Sequence, residues 1–218
     1  MDILNWLGFS WPEPVRQQSD HFDLYAEQVA ELAARGLAYR CFRTRAELKQ
    51  APTPFIGAPL SKDEERARLT RGEAFAWRLS LAAAREQLGS RWPLLSYQLM
   101  RDGRVETRQA DPMREGDIVL ARKDSPSAYH LAASCDDALQ GITHIIRGED
   151  LSEAPHIQTL LQALMNWPQP IYQHHPLVLD AQGRKLSKRA NSPTLAALRT
   201  SGITPEQIWE RLNLEPFV

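Results

Sequence analysis

Gly183-Arg184-Lys185-Leu186-Ser187-Lys188-Arg189 restricts the possible folds more than any other stretch of this chain. It crowds four cations around one hydroxyl and one apolar side chain, and a glycine opens it. Pro176-Leu177-Val178-Leu179-Asp180 upstream reads as the end of a strand, and the residues from Thr194 onward read as the start of a helix. A basic loop between a strand end and a helix start is how α/β folds hold phosphate groups, because both the cations and the helix N–H groups face the anion. On composition alone, a short Lys/Arg-rich run is equally a solvated loop or a nonspecific anion patch.

Periodicity supplies the frame around that loop. Asp2 to Leu7 reads as helical turns, and Trp11-Pro12-Glu13-Pro14 breaks the chain. Ser19 is placed to cap a helix whose apolar face is Phe22, Tyr25, Val29 and Leu32, with Gly36 as its stop. Leu37–Phe42 reads as a strand. Thr44/Glu47 and Ser61/Glu64 both have the spacing of a capping box. Ala51–Pro59 is a proline-rich loop. Ala74–Leu79 alternates like a strand, and Asp102-Gly103 suits a hairpin turn between Tyr97–Met100 and Val105–Thr107. Downstream come a strand at Gly116–Arg122, a helix at Ala128–Asp137, a strand at Ile142–Ile146, a helix at Pro155–Trp167 and extended chain at Ile171–Leu179. Thr204, Pro205 and Gln207 mark a final helix start. Alternating strands and helices in this half predict a parallel α/β sheet.

Two constellations fit that sheet. Ser127-Ala128-Tyr129-His130-Leu131-Ala132 is followed by Asp136-Asp137, and Gly141-Ile142-Thr143-His144-Ile145-Ile146 runs into Arg147-Gly148-Glu149-Asp150-Leu151. They are consistent with a helix carrying a surface Asp pair and a buried strand with a polar end. Arg147, however, falls at the carboxyl end of the strand, where open α/β sheets bind ligands. A planar guanidinium there suits a bidentate grip on a carboxylate, with the Tyr129 hydroxyl adding a contact. The competing role for Arg147 is an ion pair with Glu149 or Asp150.

With its lead-in from Leu177, the Lys-Leu-Ser-Lys-Arg run resembles the second signature loop of class I aminoacyl-tRNA synthetases, in the form of the glutamate branch. The Tyr129 and Arg147 segments resemble the same glutamyl/glutaminyl family, and the likeness covers nearly the whole chain. It implies an α/β class I core of Rossmann type, with ATP (and Mg2+) bound at the loop Lys185, Leu186, Ser187, Lys188 and Arg189. It also implies that Lys188 is the ATP-contacting catalytic lysine and that Tyr129 and Arg147 contact L-glutamate.

Two departures qualify the resemblance. The family's His-x-Gly-His ATP motif occurs nowhere in the chain, nor does the Arg-Ile-Glu-Asp strand that follows it. The chain therefore reads as the synthetase core without its first βαβ unit. The zinc site of the family's short members is also eroded: Tyr39-Arg40-Cys41-Phe42-Arg43 keeps Cys41 alone, and Phe55-Ile56-Gly57-Ala58-Pro59 offers no ligand. Since a structural zinc needs four suitable ligands, zinc is expected to be absent.

Within 218 residues the expected organisation is one catalytic domain fragment over 1–218. About 37–115 is assigned to an inserted acceptor-type α+β subdomain and 116–218 to the second half of the Rossmann core. Leu212 to Val218 reads as a natural end without an anticodon-binding domain, which favours the short paralogues that attach glutamate to queuosine in tRNA(Asp). A noncatalytic tRNA- or nucleotide-binding paralogue and a fragment of a discriminating glutamyl-tRNA synthetase are the alternatives. The net charge of −1 provides no global attraction to RNA, so contacts to tRNA would be local, with Arg40, Arg43 and Arg45 or Arg101, Arg104 and Arg108 as candidate strips. Two cysteines make no disulfide framework, and no stretch approaches the roughly 18 apolar residues of a membrane span. A cytoplasmic monomer is the expectation.

Overall fold

The computed structural model describes residues 2–179, 182, 183, 185, 186 and 193–212. The chain divides into two compact units, one of residues 17–175 and one formed by the N-terminal 16 residues with 176–218.

In the second of these, the opening helix α1 (Asp2–Trp6) belongs with the end of the chain. Leu7 is buried with Ile208 and Trp209, and Phe9 meets the Trp209 ring edge-on at 5.5 Å. Arg199 donates to the Asp2 carboxylate at 3.0 Å and lies over the Trp6 ring.

The larger unit begins with a 3-10 turn, Gln18–His21, that leads into α2 (Phe22–Ala34). Ser19 does not cap α2. It sits inside the turn, and its hydroxyl donates to Asp20. Tyr25, Val29 and Leu32 are buried as their spacing predicts, whereas Phe22 is exposed. After Gly36, whose positive φ reverses the chain, come β1 (Ala38–Cys41), α3 (Arg45–Lys49) and α4 (Lys62–Thr70). The Thr44/Glu47 box closes reciprocally. At Ser61 only half of the box forms: its hydroxyl accepts from the Glu64 N–H, while the Glu64 carboxylate is taken by Arg68 at 3.0 Å.

β2 (Ala76–Leu79) is followed directly by α5 (Leu81–Leu88), capped by the Ser80 hydroxyl. The hairpin forms as predicted: β3 (Ser96–Arg101) pairs antiparallel with β4 (Arg104–Gln109), and Asp102 and Gly103 both take the positive φ that a tight hairpin turn demands. β5 is only Val119–Ala121, shorter than the expected Gly116–Arg122, because Gly116 turns at φ +67° and Asp117 bends away into side-chain contacts. α6 (Tyr129–Leu139) leads into β6 (His144–Gly148), which starts two residues later than expected. The cause is local. The Ile142 N–H donates to the Asp137 carbonyl, so that residue closes the helix rather than opening the strand. α7 (Ala154–Met165) and β7 (Ile171–His175) complete the larger unit, and α8 (Leu195–Thr200) and α9 (Pro205–Arg211) the other.

Two sheets result. β1, β2 and β5 form an antiparallel sheet with β2 in the middle. The second sheet has the order β4-β3-β7-β6, in which β7 runs parallel to both β3 and β6. The predicted parallel pairing is thus present, extended on one side by the hairpin. A continuous core joins α2, α5, α7 and both sheets through Leu32, Leu79, Leu120, Leu160 and Tyr172. Among the described residues, no helix is long and apolar enough to cross a membrane.

Candidate active site

α6 and β6 bring Tyr129 and Arg147 together. Tyr129 is the first residue of α6, and that helix is fastened at both ends. The Ala128 N–H donates to the Leu120 carbonyl on β5 at 2.9 Å. Farther along, Asp136 is buried and accepts from the Tyr25 hydroxyl of α2 at 2.8 Å and from Gln18 at 3.0 Å. The Asp136-Asp137 pair is therefore not a surface pair: its first member locks α6 to α2. Arg147 stands near the carboxyl end of β6, opposite His174 in the parallel register.

Three groups hold the guanidinium. Nη1 donates to the Tyr129 hydroxyl at 3.0 Å, Nη2 donates to Gln158 Oε1 at 2.9 Å, and the Tyr172 ring lies beneath it with 5.2 Å to the centroid. Among the described residues, the hydrogen bonds of Arg147 run to Tyr129 and Gln158 rather than to Glu149 or Asp150. The outer wall is open and the inner wall closed: Tyr129 is 48% exposed, Gln158 1% and Tyr172 0%.

The electrostatics favour an anion at this edge. Burial, reinforced by the Arg147 charge, lowers the His130 imidazole to about 4. Burial and then Arg147 also lower His174. Near neutral pH neither ring competes as a cation. Burial raises the Asp137 carboxyl against the pull of Arg147, and it pushes the Tyr172 phenol up to about 12. A guanidinium carries five N–H donors; on the two Nη nitrogens, one hydrogen each is used within the chain and one each is left for a carboxylate.

The basic loop belongs to the other unit. Its entry is a tight reversal rather than a strand of the parallel sheet. Leu179 bridges Lys185 in antiparallel fashion, the Leu186 N–H donates to the Val178 carbonyl at 3.0 Å, and Gly183 supplies the positive φ. Leu186 is fixed through its backbone, with its side chain 40% exposed. Ser187, Lys188 and Arg189 lie outside the described residues. Downstream, the Thr194 hydroxyl caps α8 by accepting from the Ala197 N–H.

The positions tied by resemblance to zinc gather around one cavity of about 420 Å³ lined by Cys41, Arg43, Phe55, Gly57 and Arg68 among others. Cys41 is a buried free thiol, and the Arg43 guanidinium lies over the Phe55 ring at 5.5 Å. This donor set does not fit zinc: it has one thiol, and an arginine where a ligand would be needed. Among the described residues, no group of three His, Cys, Asp or Glu side chains could hold a metal ion. The loop is tied by Asp117, which is 1% exposed. Its Oδ2 accepts from the Tyr39 hydroxyl and the Gly57 N–H, both at 2.8 Å, and its Oδ1 accepts from the Leu81 N–H at 2.9 Å. The Asp117 carbonyl also accepts from Arg78. Burial and the Asp117 carboxylate raise the Tyr39 phenol far above its ordinary range. A Cβ at Gly57 would fall 2.1 Å from the Tyr39 hydroxyl oxygen, so only glycine permits this approach.

Of the arginine strips considered for RNA, Arg40 is paired with Glu65 at 2.9 Å and stacks on Trp77. Arg101 and Arg104 face each other across the hairpin, and Arg108 pairs with Glu106. Sequence reasoning passed over Gln158, Tyr172 and Asp117. The signal for Gln158 was its place three residues before Leu161, on the apolar stripe of α7, where a polar side chain needs a partner.

This fold and site define a class I aminoacyl-tRNA synthetase core. The chain belongs to that family: the model for tRNA synthetases class I (E and Q), catalytic domain, matches residues 1–215. Among relatives, it is 37% identical over 226 residues to a glutamyl-Q tRNA(Asp) synthetase of Rhodobacter capsulatus, covering 98% of this chain and 80% of that one. A glutamyl-Q tRNA(Asp) synthetase of Pseudomonas aeruginosa is 37% identical over 197 residues, covering 90% and 61% respectively. A glutamate–tRNA ligase of Coprothermobacter proteolyticus is 31% identical over 222 residues, covering 97% of this chain and 45% of the ligase. The solved glutamate tRNA ligase of Elizabethkingia meningosepticum, in complex with its amino acid, superposes with a TM-score of 0.64 at 25% identity, over 87% of this chain and 41% of that one.

Proposed function

We propose that this chain contributes to ATP-dependent activation of L-glutamate and its transfer to queuosine in the anticodon of tRNA(Asp), as a cytoplasmic tRNA-modifying ligase. The observation that carries the reading is the Arg147 guanidinium at the carboxyl edge of a parallel sheet, gripped by Tyr129 and Gln158 with one hydrogen on each Nη nitrogen unused. The names of the glutamyl-Q relatives supply the acceptor.

In this reading Arg147 and Tyr129 bind the glutamate substrate and orient it. A carboxylate oxygen of glutamate attacks the α-phosphate of ATP, the bond to pyrophosphate breaks, and an aminoacyl adenylate forms. Lys188, with Lys185 and Arg189, stabilises the charge that builds on the α-phosphate and the leaving pyrophosphate, an interaction stronger in the transition state than in the ground state. A hydroxyl of queuosine then attacks the acyl carbon, and AMP leaves.

The test is glutamate-dependent ATP–pyrophosphate exchange without tRNA, followed by transfer of labelled glutamate to tRNA(Asp) with and without queuosine. Exchange together with queuosine-dependent transfer is expected. Transfer to tRNA(Glu) instead would favour the glutamate–tRNA ligase reading. Absence of exchange with retained tRNA binding would favour a noncatalytic paralogue. Lys188→Ala should cost about 3 kcal/mol of activation barrier, and an unchanged exchange rate would remove Lys188 from the mechanism.

A further inference from the structure

Ten of the twelve residues of α7 are buried, and four of those ten are polar: His156, Gln158, Thr159 and Gln162. Gln158 and Gln162 are 1% and 2% exposed. A buried amide has to be explained by its partners, because an unsatisfied one costs more than an apolar side chain of the same shape.

The partners form a nearly closed circuit. A guanidinium only donates, so the Gln158 amide must turn its oxygen toward Arg147 Nη2, and its nitrogen then points away. Gln162 Nε2 donates to the Tyr172 hydroxyl at 3.0 Å, which leaves its own oxygen free. Gln158 Nε2 and Gln162 Oε1 are both buried without a partner. One is a donor and the other an acceptor, and they sit four residues apart on the same helix, the spacing at which side chains meet. A hydrogen bond between them would run the circuit from Arg147 through Gln158 and Gln162 to the Tyr172 hydroxyl, and the Tyr172 ring lies against the face of the same guanidinium. Gln158 fixes the guanidinium within its plane, Tyr172 fixes its height, and Gln162 fixes both of those.

We propose that Gln158, braced by Gln162, is the positioning residue that sets the Arg147 guanidinium for a bidentate carboxylate and so determines affinity for the acidic amino acid. The role assigned to the carboxylate rests on the function proposed above, whereas the hold on Arg147 does not. The chemistry also explains why glutamine suits this position better than glutamate. A carboxylate at residue 158 would form its own ion pair with Arg147 and compete with the substrate for it.

Two readouts on the full chain separate the parts. The first is rotation of the Arg147 guanidinium about its Cζ–Nη bonds, followed by nitrogen NMR: slow in the parent, freed in Gln158→Met, and partly freed in Gln162→Met. Equal rotation in parent and Gln158→Met overturns the proposal, whether or not glutamate binds. The second is calorimetric titration with L-glutamate and, separately, with ATP. About a tenfold loss of glutamate affinity is expected in Gln158→Met, and about a hundredfold loss in Gln158→Glu, with ATP affinity within twofold of the parent. A parallel loss of ATP affinity, or unchanged glutamate affinity in a variant whose guanidinium is freed, overturns the specificity role. If the parent itself binds no glutamate, the functional reading fails, and the rotation measurement alone decides the positioning role.

Discussion

Asp117 and Arg147 are both charged side chains drawn into the larger unit, and the chain treats them in opposite ways. Asp117 directs both carboxylate oxygens and its carbonyl at donors from Tyr39, Gly57, Leu81 and Arg78, all of them in its own chain. Arg147 is held from below and on one side, while the Tyr129 hydroxyl that meets its outer edge is itself half exposed. A saturated charge is a fastening. A charge held in place but left partly unmatched at a sheet edge is suited to binding, because the remaining donors gain most from a ligand that supplies the missing acceptor.

The contrast breaks most directly through paired truncations. Asp117→Ala strands several buried donors and should destabilise the fold by about 4 kcal/mol, read as a fall in the urea midpoint. Arg147→Ala leaves the buried Gln158 oxygen without its donor and should cost about 1–2 kcal/mol in the same measurement while abolishing measurable glutamate binding. Equal losses of stability would erase the distinction. Gly57→Ala tests the fastening from its other side. The added methyl would be driven into the Tyr39 hydroxyl, with an expected cost of about 2 kcal/mol; a neutral substitution would show that the loop yields without loss.

The smallest effect concerns pH and the Arg147 side. His130 is held neutral in the folded chain, its pKa lowered to about 4 by burial and the Arg147 charge. In the unfolded chain it titrates near its ordinary value of 6.5. Its contribution is complete above about pH 6.5 and is lost as the pH falls toward 4. His156 and His174 are lowered as well and act in the same direction. His130→Asn should therefore flatten the fall in unfolding midpoint between pH 7 and 4.5, and an unchanged slope would place the acid sensitivity elsewhere.

Local signals carried much of this fold. The Thr44 and Thr204 boxes, the Asp102-Gly103 hairpin and the buried stripe of α2 all depend on residues within a few positions of one another. What sequence could not supply was pairing at a distance. Nothing near Ala76 announces that β2 sits between β1 and β5, and nothing in the Gly-Asp-Ile-Val run separates a strand residue from the buried carboxylate of Asp117. At the candidate site, Arg147 and Tyr129 were legible because strand-end and helix-start positions are local features. Gln158 was not, because its place on the apolar stripe of α7 shows that it needs a partner but not that the partner is Arg147 on another element.

The position of β7 has a consequence for how the protein is made. This strand lies between β3 and β6, yet it is the last of the four to leave the ribosome. The hairpin of β3 and β4 is finished at Gln109, but the parallel partner that covers Leu99 and Met100 begins only at Ile171. At about 5–20 residues per second, translation of the intervening segment takes several seconds. For that interval the nascent hairpin presents an open edge, and the polypeptide depends on the gap staying vacant until its own strand arrives.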